Sequence, residues 1–545
     1  MTPLPERPER IHGLDVAGAA AVAVAVLLVR AIPVLSSSFP LNDGGLFFAM
    51  ARDLQRAGLQ WPATTSYNGG GIPFTYPPLG LYLAAVLSSV SPISLIDVVR
   101  WLPLVFSVLT VPAVYLLARE VLASRFHALV AAAAFAVVPE GFVWAIEGGG
   151  ITRAPGMLFA LLAVALAART AGDGRRRTVV AAGVLGGLAV LTHPNAALFT
   201  VIAVLLLALR HPTRRSIARV GAIYALTLLV SSPWWIVALV RLGPRGLAST
   251  GVIGDPIDTL IRGSFGLVTF EFTREALLPV VAALGLVGLV LCLSRRMWLL
   301  PIWVSMEVLI DPRLGRMYAM VPLAMLAAVG FVDAVVAAVV RTSAPIPRGS
   351  PDRLVPAGIW TVRAGRWTLI FGLVFTTFAA MYAGLLAGSP DRAVPDAVRS
   401  AMAWPADNTL PGARFAVVTG DQSGILGDQE WFPVLSGRIS QATVQGTEWL
   451  GPGAWTRANE VNGALQECAS GTVACLEQWS ARYDITLDHV FLPKGQLGAP
   501  GSPADCCGTL RESLAGSPHF RLVYDGEGAT IYRREPDALL AGRRR

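Results

Sequence analysis

Charged and aromatic side chains stand where long apolar runs of this sequence end, and the first of them is Asp43 in FPLNDGGLFFAMARDL. It follows the first apolar run and precedes a segment with the pattern of an amphipathic helix. A carboxylate in that place could face a polar site at a membrane surface and accept a proton from a hydroxyl. The alternative is a helix N-cap, a position that Asp often occupies.

Two short breaks inside apolar stretches carry groups suited to phosphate. His193 lies in THPN, and Asp311, Arg313, Arg316 and Tyr318 lie in DPRLGRMY. Charges at membrane depth are costly and are therefore functional candidates, and a guanidinium makes paired hydrogen bonds to phosphate. We expect Arg313, Arg316, His193 and Tyr318 to form a phosphate site. The alternatives are that both arginines reach the interface or pair with Asp311, and that His193 is a structural turn residue.

Side chains suited to hydroxyl-rich ligands occur in three other segments. Tyr76 lies in an aromatic and glycine-rich loop that ends in TYPPLG, and Glu147 lies in WAIEGGGITRAPG. Trp431 and Arg438 belong to QEWFPVLSGR. Aromatic rings stack on sugar faces, whereas Arg and Glu bind hydroxyls, so all four are candidate sugar contacts. The alternatives are ordinary core packing for the aromatic residues and an ion pair with Arg153 for Glu147.

The elements that hold these residues are membrane helices. The chain has 545 residues, of which 54% are hydrophobic and 15% are charged, against about 25% charged in soluble proteins. This composition excludes a soluble enzyme, a disordered chain and a coiled coil. The net charge of +8 does not indicate nucleic-acid binding, because the basic residues lie between apolar runs, where they set membrane orientation.

Runs of about 20 apolar residues predict roughly eleven transmembrane helices. Arginine clusters, of which the strongest is Arg175–Arg177, place the N-terminus inside and segment 36–78 outside. Leu79–Val90 is read as a surface helix. Arg30 is expected to reach the interface, and a contact with the donor phosphate is the alternative. The predicted spans are 16–35, 96–118, 127–145, 154–171, two short spans turning at His193–Pro194 within 179–209, 220–242, 276–293, 298–310, 317–340 and 367–386.

The composition changes after the last run. Residues 1–388 are expected to form the membrane domain, with a first outer loop at 36–95, and residues 389–545 a small extracytoplasmic α/β domain. Four cysteines in that tail suggest disulfides, and their spacing leaves all three pairings open. Zinc is the alternative, although no His lies among them at ligand spacing. These cysteines are Cys468, Cys475, Cys506 and Cys507.

The order of these features resembles the GT-C glycosyltransferases. It comprises a first span, an outer loop with an early acidic residue, a YPPL segment before a juxtamembrane helix, and a second span beginning near Arg100. The likeness covers about residues 10–390 and is strongest to protein O-mannosyltransferases and aminoarabinose-type lipid transferases. It implies a polyprenyl-phosphate sugar donor and maps the catalytic acid onto Asp43. Protein O-mannosyltransferases have an Asp-Glu pair where this chain has Asn42-Asp43-Gly44, which argues against protein mannosylation.

The same resemblance bears on cofactor, partners and location. In the metal-dependent oligosaccharyltransferase branch, carboxylates of the first two outer loops hold a divalent cation, so Asp43 and Glu147 would form a Mg²⁺ or Mn²⁺ site. The implied acceptor is an extracytoplasmic glycan, lipid or protein, and the implied location is a bacterial cytoplasmic membrane. Two other classes stay open. One is a transporter or flippase of lipid-linked sugars, and the other is a non-catalytic scaffold with a glycan-binding domain.

Overall fold

The computed structural model describes residues 13–210, 212–249, 261, 264–265, 271–311, 315–341, 363–385, 393–422, 427–494 and 506–536. Helices dominate up to residue 385, and each predicted span overlaps at least one of them. In chain order they are α1 (Gly13–Leu35), α2 (Gly45–Arg56), α3 (Leu79–Val90), α4 (Leu95–Val121), α5 (Arg125–Val137), α6 (Val143–Ile146), α7 (Gly150–Asp173), α8 (Arg176–Thr192), α9 (Pro194–Leu209), α10 (Arg214–Ser249), α11 (Val280–Ser294), α12 (Leu299–Ile310), α13 (Gly315–Gly330), α14 (Ala337–Arg341) and α15 (Arg363–Leu385).

Six of the described helices are long and apolar enough to cross a bilayer: α1, α4, α7, α10, the continuous rod from α13 to α14, and α15. Five shorter apolar helices, α3, α5, α9, α11 and α12, accompany them. The polytopic helical fold is therefore confirmed, whereas the total of eleven crossings stays a prediction.

Both short breaks appear where the sequence predicts them. α8 ends at Thr192, and His193 is extended and accepts a hydrogen bond from the backbone N–H of Asn195 at its Nδ1 (3.2 Å), so it caps α9. The second break separates Ile310 from Gly315. Arg313 lies outside the described residues.

The third predicted span, 127–145, is wrong at its end. Helix α5 stops at Val137, and Pro139–Gly141 forms a 3-10 turn before the short α6. The reason is Pro139, which disfavours helical geometry at Val138, and that residue is extended (φ −75°, ψ 116°). The chain consequently turns early and brings Glu147 to the start of α7.

Arg30 does not reach the membrane interface. Its side chain is fully buried between α1, α4 and α5, and it donates to the Phe135 carbonyl (3.0 Å) and to the hydroxyls of Ser107 (3.1 Å) and Thr110 (3.0 Å). The expectation of snorkelling was wrong because this face of α1 packs on protein and not on lipid.

One end of the helical bundle gathers arginine contacts. Arg169 pairs with Glu120 (3.1 Å) where α7 and α4 end, and Arg219 near the start of α10 donates to the Thr170 carbonyl (2.6 Å). Arg295 after α11 pairs with Asp333 in the π-helical turn that joins α13 to α14. These three arginines, each close in sequence to a predicted arginine cluster, therefore lie at one end of the bundle, and the side of the membrane that they face stays a prediction.

The tail forms a small α/β domain. Its five-stranded sheet has the order β4-β3-β5-β7-β6, in which β3 is parallel to β4 and β5, and β7 is antiparallel to β5 and β6. Strands β1 and β2 form a separate hairpin in the first outer loop. The elements are β1 (Thr64–Thr65), β2 (Ile72–Pro73), α16 (Asp396–Asn408), β3 (Arg414–Val417), α17 (Gly427–Ser436), β4 (Ile439–Ser440), α18 (Ala454–Glu467), α19 (Val473–Tyr483), β5 (His489–Pro493), α20 (Gly508–Ala515), β6 (Phe520–Asp525) and β7 (Ala529–Arg534).

The tail cysteines form two disulfides in this structure. Cys468 pairs with Cys475, and Cys506 pairs with its neighbour Cys507, so one of the three open pairings is selected. All four are in or beside the apolar core under α18 and α20.

The tail and the first outer loop share a hydrophobic core. Phe39, Leu46 and Phe74 from the loop pack in one cluster with Trp431 and Phe491 from the tail. An antiparallel bridge also joins Leu41 to Ala393. The two segments must therefore lie on the same side of the membrane.

Candidate active site

Asp43 lies in a tight turn between α1 and α2. The turn places Asn42 (φ 45°) and Gly44 (φ 131°) in the left-handed half of backbone space, which only small or amide residues adopt readily. The Asp43 side chain is buried, its Oδ1 accepts a hydrogen bond from the Gly149 N–H (2.8 Å), and its Oδ2 pairs with Arg153. It does not cap α2, so the alternative interpretation of Asp43 as a helix cap is wrong.

The segment before α7 approaches the Asp43 turn so closely that it requires glycine. A Cβ at Gly148 would overlap the Asp43 carbonyl oxygen, and one at Gly149 would lie 2.7 Å from the Asp43 Oδ2. The Gly148 N–H also donates to the Leu41 carbonyl (2.9 Å). The turn after α1 and the segment before α7 therefore pack tightly against each other around one carboxylate.

Arg153, in the first turn of α7, is the cation of this site. Its guanidinium pairs with Asp43, lies 3.6 Å from Glu147 Oε2, and donates to the Trp144 carbonyl (3.1 Å). The guanidiniums of Arg153 and Arg274 each lie 5.3 Å from the centroid of the Trp144 ring. A buried charge with such pairing is far less costly than an isolated one.

Glu430, from α17 of the tail, closes the other side of the turn. Its Oε1 accepts hydrogen bonds from the N–H groups of Gly44 (3.2 Å) and Leu46 (3.1 Å) at the start of α2. Burial, followed by the negative charge of Asp43, raises the pKa of Glu430 to about 8. The sequence analysis missed this residue because it considered only the neighbouring Trp431 and Arg438.

Tyr76 stands at the centre of an aromatic group beside the acidic residues. Its ring contacts Phe47 (centroids 5.0 Å apart), Trp449 (5.7 Å) and His193 (6.2 Å). Its hydroxyl lies 3.5 Å from that of Thr152, one residue before Arg153. Burial raises the pKa of Tyr76 above its ordinary value, so it is a neutral hydrogen-bonding group. The structure thus brings Tyr76 and His193 to the side of Asp43.

The two short breaks lie in contact with each other. The Asn195 side chain donates to Asp311, which joins the start of α9 to the end of α12. Tyr318 in α13 is buried against Phe199 (centroids 5.1 Å apart), and its hydroxyl has no hydrogen-bond partner in the part of the chain that the structure describes. Arg316 is half-buried in the first turn of α13. Its role at a phosphate stays a prediction.

Trp431 and Arg438 occupy structural positions instead of the expected sugar contacts. Trp431 is fully buried and packs on Phe39, with the ring centroids 4.7 Å apart. Its indole N–H donates to the Asn42 carbonyl (3.0 Å). Arg438 is buried and donates to the carbonyls of Ala406 and Thr409 (both 2.7 Å) at the end of α16. The ring and the guanidinium are thus occupied by protein, which corrects both expectations.

A divalent cation does not fit between Asp43 and Glu147. The guanidinium of Arg153 already contacts both carboxylates, and a metal ion would have to compete with that charge for the same oxygens. Across the described ranges, no group of three His, Cys, Asp or Glu side chains is placed to hold a metal. The expected metal role of Asp43 and Glu147 is therefore not supported, and no step is assigned to a metal here.

The sequence profile of a family described as dolichyl-phosphate-mannose-protein mannosyltransferase matches residues 75–237. No curated protein matches the chain. Among solved structures, the fold resembles the oligosaccharyltransferase AglB from Archaeoglobus fulgidus, with a TM-score of 0.51, 14% identity, and coverage of 88% of this chain and 69% of that one.

The fold also resembles the mycobacterial arabinofuranosyltransferase AftD, with a TM-score of 0.53, 17% identity, and coverage of 96% of this chain and 42% of that one. Sequence identities this low support a shared fold but not a shared substrate. The profile match covers Tyr76, Glu147, Arg153 and His193, and the fold match extends over most of the chain. Residues 75–237 thus resemble the mannosyltransferase family of the profile, and the chain as a whole shares its fold with AglB and AftD.

Proposed function

We propose that this protein transfers a sugar from a polyprenyl-phosphate donor to a hydroxyl of an extracytoplasmic acceptor. The observation that carries the proposal is the buried Asp43, held by the Gly149 N–H and by Arg153 where two outer loops meet. The matched profile is named for a dolichyl-phosphate sugar donor, and AglB was solved with a dolichol-phosphate. Both support a lipid-phosphate donor for this chain as well.

In the proposed reaction, the acceptor oxygen attacks the anomeric carbon of the donor sugar. The bond between that carbon and the phosphate oxygen breaks, and the lipid phosphate leaves with the bonding electrons. The proton of the acceptor hydroxyl passes to Asp43. The leaving phosphate is anionic, so it needs positive charge nearby, which Arg316 and Arg313 would supply with hydrogen bonds from His193 and Tyr318.

Arg153 explains how Asp43 becomes available as a base. While Asp43 is paired with Arg153 and hydrogen-bonded to the Gly149 N–H, both of its carboxylate oxygens are occupied. A donor phosphate that draws Arg153 away would release the Asp43 carboxylate for the acceptor hydroxyl, and Tyr76 and Glu147 would then contact the sugar. Since Asp43 and Glu147 are buried, substrate entry has to displace some of the residues that cover them.

The test is a transfer assay with purified protein in lipid nanodiscs and radiolabelled polyprenyl-phosphate sugars. Asp43→Asn keeps the size of the side chain and an oxygen acceptor for the Gly149 N–H, so the protein should insert and fold. Its turnover should fall about 10²–10⁴-fold, the usual contribution of a general base. Near-normal transfer by this variant would refute the assignment of Asp43. Movement of label across the bilayer without bond cleavage would instead support the transporter alternative.

A further inference from the structure

The tail contacts the Asp43 turn directly, and the proposed reaction does not use this contact. The Trp431 indole donates to the Asn42 carbonyl, and the Tyr67 hydroxyl of the first outer loop donates to the Glu430 carbonyl (2.8 Å). The backbone at Gly427 and Glu430 packs directly against the turn, because a Cβ at Gly45 would overlap the Glu430 carbonyl oxygen. Residues of helix α17 therefore contact the chain on both sides of Asp43, at Asn42 and at Gly45.

The side chain of Glu430 adds polar contacts to this packing of α17 against the Asp43 turn. Its Oε1 holds two backbone N–H groups of α2, whose N-cap residue Gly44 has no side chain with which to do so. Its Oε2 is buried, and the described residues offer it no hydrogen-bond partner. A carboxylate oxygen without donors at a buried position is costly. That cost is lower if the group carries a proton.

We propose that Glu430 is a positioning residue of the active site, which holds the Asp43 turn through α2 and does so as a neutral carboxylic acid. The proposal rests on the proposed transferase function, in which Asp43 is the base. A neutral Glu430 does not compete with Asp43 and Glu147 for the guanidinium of Arg153. An ionised Glu430 would place a second negative charge beside Asp43, repel it and compete for the same guanidinium.

The ionisable groups that face Glu430 are few. Asp43 and Arg153 act on it directly, and Tyr67 lies on its backbone side. Burial raises the pKa of Tyr67 well above its ordinary value, so Tyr67 stays neutral up to high pH. On the neighbouring α2 and α16, Asp53 is bound by Thr65 and Ser66, Arg52 lies over the Phe48 ring, and Arg399 pairs with Asp396. Burial also raises the pKa of Asp428, on the same helix, to about 7, so Asp428 and Glu430 both lose a proton near neutral or mildly alkaline pH, and variants at the two positions separate their effects.

The first test is the pH dependence of kcat with the full-length protein. With a pKa of about 8 for Glu430, wild-type kcat should fall roughly tenfold from pH 7 to pH 9, because the neutral fraction of Glu430 falls by that factor. Glu430→Gln keeps an acceptor for the two N–H groups and cannot ionise, so the fall should shrink to less than about twofold. Glu430→Ala removes the acceptor, and kcat should drop about ten- to hundredfold at every pH.

Asp428→Asn is the matched control, since Asp428 is a second buried carboxyl group on the same helix, with a pKa that burial raises to about 7. That variant should keep the wild-type profile. A Glu430→Gln profile that still falls tenfold would overturn the neutral-acid part of the proposal, and wild-type kcat in Glu430→Ala would overturn the positioning role.

A second readout does not depend on activity. In hydrogen–deuterium exchange, the amides of Gly44 and Leu46 should exchange roughly fivefold faster in Glu430→Ala, as expected for loss of a helix cap, and at the wild-type rate in Asp428→Asn. Unchanged exchange in Glu430→Ala would refute the contact itself. If the wild-type protein transferred no sugar while this exchange difference appeared, the proposed function would fail and the positioning of the turn would stand.

Discussion

At the scale of single residues, Asp43 could be selected from the sequence because a lone carboxylate directly after an apolar run is unusual. Its partners could not all be found in that way. Arg153 was expected only as a partner of Glu147, whereas the structure gives its closest contact to Asp43. Glu430 lies 386 residues from Gly44 in the chain, and no local pattern connects such distant residues. Sequence thus predicts the type of group at the site and misses its long-range neighbours.

The Asp43–Arg153 pair makes a prediction about stability. Arg153→Ala leaves a buried carboxylate without its cation and should lower the free energy of unfolding by about 3–5 kcal/mol. The double variant Asp43→Asn with Arg153→Ala removes both charges and should recover much of that loss. Thermal or denaturant unfolding in detergent measures the stability of the wild-type protein, the two single variants and the double variant, which together form a double-mutant cycle. Additive losses, with no recovery in the double variant, would mean that the two side chains do not interact.

At the scale of elements, the breaks in the apolar runs were the most predictable feature. Both His193–Pro194 and the segment from Asp311 interrupt helices as expected. The early end of α5 was missed because hydropathy stays high through Phe142 and Val143, although Pro139 was visible in the sequence. Proline should therefore have outweighed hydropathy in placing that boundary.

The close approach of the glycine segment to the Asp43 turn predicts a steric effect. Gly148→Ala forces its Cβ into the Asp43 carbonyl oxygen, so the turn must move. A displacement of about 1 Å at a catalytic group can lower turnover roughly 100-fold. Gly221→Ala is the matched control, because no heavy atom lies within 4 Å of a Cβ at that position in α10. We expect transfer rates to separate the two variants, and equal rates would show that the loops tolerate a wider spacing.

The break between α12 and α13 predicts a donor contact. Arg316→Ala should weaken binding of the polyprenyl-phosphate donor about ten- to hundredfold, the effect of losing one charge-assisted pair. Arg316→Lys should recover only part of this affinity, since an ammonium lacks the planar fork. Arg296→Ala, at an exposed position after α11, is the control. The test is donor affinity, measured with detergent-solubilised protein. Wild-type affinity in both Arg316 variants would show that Arg316 does not bind the donor.

At the scale of the whole molecule, the boundary near residue 389 separates two compositions but not two independent bodies. The sheet and helices of the tail could be predicted from their alternating patterns. The core that the tail shares with the first outer loop could not be predicted. In the sequence, apolar residues that pack between two segments look the same as apolar residues that pack within one segment. The tail consequently packs on the candidate active site through α17, and a chain truncated before residue 389 should lose the support of the Asp43 turn.

The shared core also sharpens the topology prediction. The arginine clusters lie at one end of the bundle, while the tail packs on the first outer loop, so labelling should give opposite results at the two sites. Ala123, between α4 and α5, and Ala403, on α16, are both exposed alanines. From the positive-inside asymmetry, a membrane-impermeant thiol reagent added outside intact cells should label Ala403→Cys and leave Ala123→Cys unlabelled until the cells are opened. The native cysteines give little background, since Cys292 is buried and the other four are paired. Labelling of Ala123→Cys in intact cells would reverse the orientation and place the Asp43 site on the cytoplasmic side, where an extracytoplasmic acceptor could not reach it.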